Sequence, residues 1–280
     1  MIYLSSSCIR KSNIAEVVTL YGERGIKNIE LSGGTDFYEG IEDDLRALSG
    51  KYNLTYACHA YFPPPREPFV VNLASCNDKI YRQSIEHYEK CIRMLKRIDC
   101  KFLSVHAGFM VEVGTNEIGR KLSSRIVYEE DSAYERFCNA YEHILKECTK
   151  NGIELYLENN VLSAENYEEF EHHNYLMMTD YSSILKMREK LDFNLLLDLG
   201  HLHVSAQTLR RDFRDECSKL KKYLKWIHIS ENNGISDEHK TLKAGSEILE
   251  EFHKIYVQGL NVTLETIGNA EDILESMKLI

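Results

Sequence analysis

Eight short apolar runs recur along this chain, and segments with a 3.6-residue apolar period separate several of them. Such alternation is typical of parallel strands joined by right-handed helical crossovers, and eight units close a TIM-type (β/α)8 barrel. An open doubly wound sheet is the alternative, but it usually has a glycine-rich phosphate loop, and no GxGxxG motif occurs here. The runs are Ile2–Ser5, Ile26–Leu31, Leu54–His59, Lys101–His106, Ile153–Glu158, Phe193–Asp198, Trp226–Ser230 and Val262–Glu265. The helical segments include Asp78–Ile98, Ser132–Lys150, Leu209–Leu224 and Ser246–Tyr256.

Length and composition fit one barrel domain over residues 1–280. An α/β barrel of about 250 residues is commonly a single unit. Hydrophobic residues make up 43% of the chain, which is enough for a large core. No segment has the composition of a linker.

Net charge and cysteine content limit which partners and which cellular compartment are expected. The formal net charge is −10, which disfavours a nucleic-acid partner without excluding a local basic groove. Eight cysteines without a CxxC pair, together with an N-terminus that lacks a secretion signal, predict reduced thiols in a cytoplasmic protein. No stretch approaches the roughly 18 apolar residues of a membrane span. We therefore expect no membrane association, and nothing in the sequence specifies an oligomeric state.

Three long connections follow predicted strand ends. Proline fixes φ, so HAYFPPPREPF after the third run should be a stiff, extended loop. The connections from Ala107 to about Asp131 and from Asn159 to about Thr179 are longer than compact domains usually contain. Because the C-terminal ends of the strands form the active face of a barrel, both are expected to be lids or binding loops.

Histidines and acids gather at the ends of the predicted strands. An unpaired charge in a barrel interior costs several kcal/mol, and few Lys or Arg residues lie at matching positions. A divalent cation is therefore the predicted partner, and mixed imidazole and carboxylate ligands suit zinc, manganese, iron or cobalt. The residues concerned are Glu30, His59, His106, Glu158, Asp198, His201, His203, His228, Glu231, Asp237, His239 and Glu265.

Three of these residues also admit a purely structural role. Glu30 could orient a substrate or pair with another side chain inside the barrel. His203 could form a hydrogen bond near the mouth of the barrel, and Glu231 could be an ordinary polar residue of a loop. We treat Glu30, His203 and Glu231 as candidate substrate-binding residues. Three other histidines fall within helical patterns and are expected at the surface: His87, His143 and His253.

The order of the motifs resembles the xylose isomerase-like TIM barrels, which include sugar and sugar-phosphate isomerases and epimerases and also endonuclease IV. The resemblance rests on HAYFPPPREPFVVNLAS, LENN, DLGH, HIS, DEH and LET at successive strand ends. In that superfamily the shared metal site takes a Glu, an Asp, a His and a Glu from the fifth to the eighth strands. The resemblance places these ligands at Glu158, Asp198, His228 and Glu265.

Endonuclease IV has a trinuclear zinc site with further ligands. By resemblance the matching positions are His59, His106, His201, Asp237 and His239. The resemblance thus implies one to three divalent ions per chain, zinc or manganese above all. Many members described as isomerases or epimerases also carry the outer residues, so a complete set does not identify a nuclease.

Two reactions fit such a site. Isomerisation or epimerisation would pass through a metal-stabilised enediolate, with Glu158 and Glu265 moving the proton and His201 positioning a substrate oxygen. Hydrolysis of a phosphodiester, abasic-site DNA included, would use a hydroxide activated by two or three ions. A barrel without catalytic function would leave the converging acids without a purpose.

Departures from endonuclease IV favour a small-molecule substrate. The loop SGGTDFYEG after the second run is acidic and lacks the arginine that the nuclease inserts into DNA. The proline-rich segment is longer than that of the nuclease, and His106 precedes Ala107-Gly108 rather than a proline and a glycine. We therefore predict a sugar or sugar-phosphate isomerase or epimerase, with a multi-zinc phosphodiesterase as the alternative. Candidates for holding a phosphate on the sugar are Arg120, Lys121 and Arg125.

Overall fold

A closed barrel of eight parallel strands forms the centre of the computed structural model, which describes residues 1–123 and 126–280. Each strand pairs with the next, and the last pairs with the first, as the sequence predicts for a TIM (β/α)8 barrel. The candidate phosphate ligand Arg125 lies outside the described residues. The strands are β1 (Ile2–Ser5), β2 (Asn28–Leu31), β3 (Thr55–Cys58), β4 (Phe102–His106), β5 (Glu154–Glu158), β6 (Asn194–Asp198), β7 (Leu224–Ile229) and β8 (Asn261–Leu264).

Helices surround the barrel and connect consecutive strands. Those of the described residues are α1 (Ile14–Glu23), α2 (Ile41–Tyr52), α3 (Asp78–Arg97), α4 (Glu130–Lys150), α5 (Ala164–Glu169), α6 (Tyr181–Arg188), α7 (Leu199–Thr208), α8 (Phe213–Leu220), α9 (Glu247–Ile255) and α10 (Ala270–Met277). The helical predictions for 78–98 and 132–150 agree with α3 and α4. The predicted helix 209–224 is shorter in the structure, where α8 leads into a 3-10 turn at Lys221–Tyr223. None of the helices in the described part of the chain has the length and apolarity to cross a bilayer.

Helix α7, which the sequence pattern did not predict, begins directly after β6. Asp198 ends the strand and caps the helix, because its Oδ1 accepts a hydrogen bond from His201 N at 2.7 Å. The side chains of His201 and His203 therefore extend from a helix and not from the end of a strand. Two residues along an α-helix span about 200° around its axis, so the two imidazoles point to different surroundings.

The barrel interior changes from apolar to polar along its axis. Near the N-terminal ends of the strands it is filled by an aromatic cluster in which Trp226 packs against Tyr3 and Tyr156 at ring distances of 5.0 and 5.2 Å. The buried acids and histidines lie above this cluster, at the C-terminal ends. The aromatic cluster closes the lower end, so the polar layer opens only towards the loops at the C-terminal face.

The two long connections pack against each other. Their apolar side chains form a separate small core that includes Val111, Leu162 and Phe170. Asn160 Nδ2 donates to the carbonyl oxygens of Ala107, Gly108 and Met177, at 3.0, 3.2 and 2.9 Å. One buried amide thus holds the inner ends of both connections together.

His87 corrects one expectation from the sequence. His143 and His253 are exposed as predicted, but His87 on α3 is only 6% exposed and packs edge-on against Phe69. Burial, aided by the charge of nearby Lys90, lowers the pKa of His87 to about 4. The helical pattern placed His87 correctly on α3, but it did not show that the proline-rich loop covers this face.

Candidate metal centre

Six strand ends bring five histidines and four carboxylates together. Glu158 ends β5 at the middle of the cluster, where its carboxylate oxygens lie 3.4 Å from ring nitrogens of His59, His106 and His228. The complete set of predicted ligands is present: His59, His106, Glu158, Asp198, His201, His228, Asp237, His239 and Glu265.

Among the described residues, four groups of side chains have the spacing of metal sites, and three of them consist only of predicted ligands. Within each group the donor atoms lie within 4.8 Å of one another. Tetrahedral zinc with bonds of 2.0–2.1 Å to nitrogen and oxygen requires donors about 3.3 Å apart. Glu265 Oε2 lies 3.2 Å from His228 Nδ1, so Glu265 joins the group that contains Glu158, Asp198 and His228. The three groups of predicted ligands are His59–His106–Glu158, Glu158–Asp198–His228 and His201–Asp237–His239.

Backbone carbonyls orient two of the histidines. His201 Nδ1 donates to Asn159 O at 2.9 Å, and His239 Nδ1 donates to Glu265 O at 3.0 Å. A carbonyl only accepts, so both Nδ1 atoms carry the proton when the imidazole is neutral. Each Nε2 then presents a lone pair towards Asp237, whose Oδ2 lies 3.2 Å from His201 and 2.8 Å from His239. Metal-binding histidines in proteins are usually fixed in this way.

Side chains below the metal centre orient two more of the histidines. His59 Nδ1 lies 2.6 Å from Ser104 Oγ, while its Nε2 faces Glu158 and His106. His228 Nε2 contacts the carboxylate of Glu30 at 3.1 and 3.2 Å, while its Nδ1 faces the centre. Four of the five imidazoles therefore have one nitrogen held by the framework and the other directed at the cluster.

Buried polar atoms without a hydrogen-bond partner are concentrated here. Glu158 is fully buried, and neither of its carboxylate oxygens has a partner. Buried polar atoms are nearly always paired, and an unpaired carboxylate is especially costly. The donor set and its unpaired atoms therefore fit a divalent cation. The other unpaired atoms of the cluster are His106 Nδ1, Asp198 Oδ2, His228 Nδ1 and Asp237 Oδ1.

The charges of the cluster depend on one another. Burial by itself would raise the pKa of Glu158, but His106, His59 and His228 outweigh it and the net pKa is lowered. Burial would lower the pKa of His228, yet Glu30 and Glu158 raise it well above its ordinary value. Protons on the imidazoles and bound cations are thus alternative ways to offset the carboxylates, and metal binding at such ligands releases protons.

Of the three candidate substrate-binding residues, Glu30 borders the cluster from below, where it forms a fourth group with His59 and His228, and the other two lie elsewhere. Glu30 is 1% exposed and lies beneath His228. His203 Nδ1 lies 2.7 Å from Asn232 Oδ1 and its ring packs on Phe213. The His203 side chain points towards α8, because it extends from a different side of α7 than the His201 side chain does.

Two of the remaining predicted residues, Glu231 and Lys121, have partners elsewhere. Glu231 Oε1 accepts a hydrogen bond from Ser246 Oγ, the N-cap of α9, at 2.7 Å. Of the candidate phosphate ligands, Arg120 is exposed, and Lys121 pairs with Glu169 at 2.8 Å. We therefore do not include these residues in the candidate site.

Asn159 is a residue of the site that the sequence pattern did not single out. Its side chain pairs with the backbone of Asp198, accepting from N at 2.7 Å and donating to O at 3.1 Å. Its own carbonyl orients His201. The signal available was its position directly after Glu158, at the end of a strand that pairs with β6.

The comparisons with known proteins agree with this architecture. A family model described as xylose isomerase-like TIM barrel matches residues 20–280. MJ1311, an uncharacterised protein of Methanocaldococcus jannaschii, is 22% identical over 242 residues, covering 84% of this chain and 72% of that protein.

Solved structures with a similar fold include sugar epimerases. A D-tagatose 3-epimerase-like protein has a TM-score of 0.72 at 18% identity, covering 99% of this chain and 94% of that chain. A D-psicose 3-epimerase from Clostridium cellulolyticum H10, solved with D-tagatose, has a TM-score of 0.65 at 14% identity, covering 99% and 89%. These likenesses show a shared fold. Since the family model extends from α1 to the last residue, the chain belongs to the xylose isomerase-like TIM barrel family.

Proposed function

We propose that this chain is a divalent-metal-dependent isomerase or epimerase of a sugar or sugar phosphate. The observation that carries the proposal is the pair of carboxylates around His228 Nδ1, with Glu158 at 3.4 Å and Glu265 at 3.2 Å. Glu158 ends β5 and Glu265 directly follows β8, so the two carboxylates approach the centre from different sides of the barrel. The similarity to sugar epimerases supports the substrate class.

Glu158, Asp198, His228 and Glu265 would hold the principal ion. Zinc or manganese suits this mixture of imidazole and carboxylate. A divalent cation at this position would polarise a sugar carbonyl and its neighbouring hydroxyl and stabilise the enediolate. The residues themselves bind the sugar, exclude water and move the proton.

Glu265 and Glu158 have different surroundings that suit a proton-transfer pair. The hydroxyls of Ser7 and Ser5 donate to Glu265 Oε1 at 3.1 and 3.4 Å, so its Oε2 faces the centre. The Glu265 side chain is 12% exposed, whereas Glu158 is fully buried. Glu265 therefore lies nearer the mouth and would take a proton from carbon. Glu158, protonated in that direction of the reaction, would deliver a different proton to the opposite face. His201 would position a substrate oxygen.

A multi-zinc phosphodiesterase is the second candidate, and the outer ligands favour it. In a site with one ion, the groups His59–His106–Glu158 and His201–Asp237–His239 would hold no metal, and four of their members, His59, His106, Asp237 and His239, would have no assigned role. In addition, the cluster contains the carboxylates of Glu158, Asp198, Asp237 and Glu265, and one divalent ion would offset only half of their charge. Two or three ions would balance the cluster.

Two measurements on the purified protein separate the candidates. The first is metal content. The second incubates the protein in D2O with a panel of ketoses and ketose phosphates, and also with an abasic-site DNA duplex. An enediolate reaction exchanges a carbon-bound hydrogen with solvent, so NMR would show loss of that proton signal with wild type and its retention with Glu265→Gln. No exchange, together with DNA cleavage that Glu158→Gln abolishes, would replace the proposed function with the second candidate.

The cysteines support a reducing location. All eight are unpaired, and most are buried. Proteins of oxidising compartments usually pair their cysteines, so we propose that the protein acts in the cytoplasm.

A further inference from the structure

A chain of hydrogen bonds runs beneath the candidate metal centre. Trp226 Nε1 donates to Thr263 Oγ1 at 2.9 Å, and Thr263 Oγ1 in turn donates to Glu30 Oε2. Both oxygens of the Glu30 carboxylate also contact His228 Nε2, Oε2 at 3.1 Å and Oε1 at 3.2 Å. All four side chains are buried, Trp226 at 2% and Glu30 at 1% exposure.

The donors fix the direction of this chain. The indole of Trp226 has a hydrogen and no lone pair to accept with, so Thr263 must accept from it. The single hydroxyl hydrogen of Thr263 is then left for Glu30. Glu30 thus receives one hydrogen bond from below, and as a carboxylate it receives a second from His228 Nε2. In the neutral imidazole His228 Nδ1 then keeps a lone pair, and that lone pair faces Glu158 and Glu265.

A lone pair facing two carboxylates is unfavourable unless a proton or a metal cation lies between them. We propose that Glu30 is a positioning residue that presents Nδ1 of His228 to a divalent cation. The inference rests on the metal centre proposed above and assigns to Glu30 a role in holding the ion rather than in binding the substrate.

Glu30 differs from the other supports of the described histidines by its charge. His59 Nδ1 lies 2.6 Å from a serine hydroxyl and only 3.8 Å from Glu30 Oε1, and His201 and His239 donate to backbone carbonyls. A carboxylate behind an imidazole raises the basicity of the opposite nitrogen, and such partners affect metal affinity strongly. His228 should therefore be the strongest imidazole ligand of the centre.

The test compares the zinc affinities of wild type, Glu30→Gln and Glu216→Gln by competition with a chelator. Glutamine preserves the size of the side chain and removes its charge. Glu216 on α8 is a matched control, because it is also a buried carboxylate and accepts a hydrogen bond from Tyr181 N at 2.6 Å in the helix layer.

We expect Glu30→Gln to bind its tightest zinc about 10- to 100-fold more weakly than wild type, and Glu216→Gln to match wild type. Wild-type affinity in folded Glu30→Gln, even with a lowered free energy of unfolding, would show that Glu30 only stabilises the barrel and would overturn the inference. A wild-type protein that binds no zinc would overturn the metal centre itself, which is a different result.

Thr263→Val provides a second, milder variant in case Glu30→Gln does not fold. It preserves the shape of the side chain and removes the hydroxyl between Trp226 and Glu30. The chain has a single tryptophan, so its indole N–H gives one NMR resonance. We expect zinc to shift this resonance in wild type and to shift it much less in Thr263→Val. An equal zinc-dependent shift and equal zinc affinity in both proteins would also overturn the inference.

Discussion

His87 should make the folded protein sensitive to mild acid. Its pKa is lowered from 6.5 to about 4 by burial and by Lys90, and its Nε2 has no hydrogen-bond partner. Well above pH 6.5 the imidazole is neutral in both the folded and the unfolded chain, so it adds no pH dependence to the free energy of unfolding. As the pH falls from 6.5 towards 4, the unfolded chain binds a proton that the folded chain rejects, so stability decreases.

The size of this effect follows from the shift. One pKa unit corresponds to about 1.4 kcal/mol, so the full loss is about 3 kcal/mol below pH 4 and about 2 kcal/mol between pH 7.5 and 5. Urea unfolding of wild type and His87→Leu at pH 7.5 and 5 measures it. The variant should lose about 2 kcal/mol less than wild type over this interval.

A matched variant controls for the loss of a helical histidine. His253 is exposed on α9, and His253→Leu should reproduce the acid sensitivity of wild type. The histidines of the metal centre contribute equally to all three proteins, so they cancel in the difference. If His87→Leu loses as much stability as wild type between pH 7.5 and 5, then burial of His87 is not a source of acid sensitivity.

Two further substitutions test the centre and the long connections. Asp198→Asn should retain the fold, because asparagine caps helices as well as aspartate, while the metal content and the activity fall at least tenfold. Circular dichroism measures the fold, and metal analysis measures the bound ions. Retained metal would contradict the assignment of Asp198 as a ligand. Asn160→Ala removes the donor shared by three carbonyl oxygens. It should lower the free energy of unfolding by about 1–3 kcal/mol and speed limited proteolysis within 107–129. If the variant resists proteolysis as well as wild type, then the apolar contacts alone hold the two long connections together.

The order and number of strands could be predicted because their apolar runs are short and separated by helical periods. Helix α7 could not, because DLGHLHVSAQT contains a glycine and two histidines in its first turns. Its start depends on Asp198 acting as the helix cap and on Asn159 holding the Asp198 backbone. The cap spans only three residues, but the contact with Asn159 joins residues 39 positions apart in the chain, and no local pattern specifies it.

The candidate ligands could be predicted for a different reason. In a parallel barrel every strand delivers its C-terminal residue to the same face, so position along the chain is enough to place Glu158, Asp198 and Glu265 together. The orientation of each imidazole could not be predicted in this way. It depends on partners such as Ser104 and the carbonyl of Asn159, whose residue types are common throughout the chain.

Strand register explains why Glu30 lies below the ligands although it too is near a strand end. Side chains two residues apart on a strand point to the same face. Glu30 pairs in register with Ala57, which lies two residues before His59 and belongs to the aromatic cluster. Glu30 is thus one layer lower than the histidine ligand of the adjacent strand, at the level where Thr263 precedes Glu265. A carboxylate at that depth is out of reach of a substrate at the mouth, and the imidazole above it is the group through which it can act.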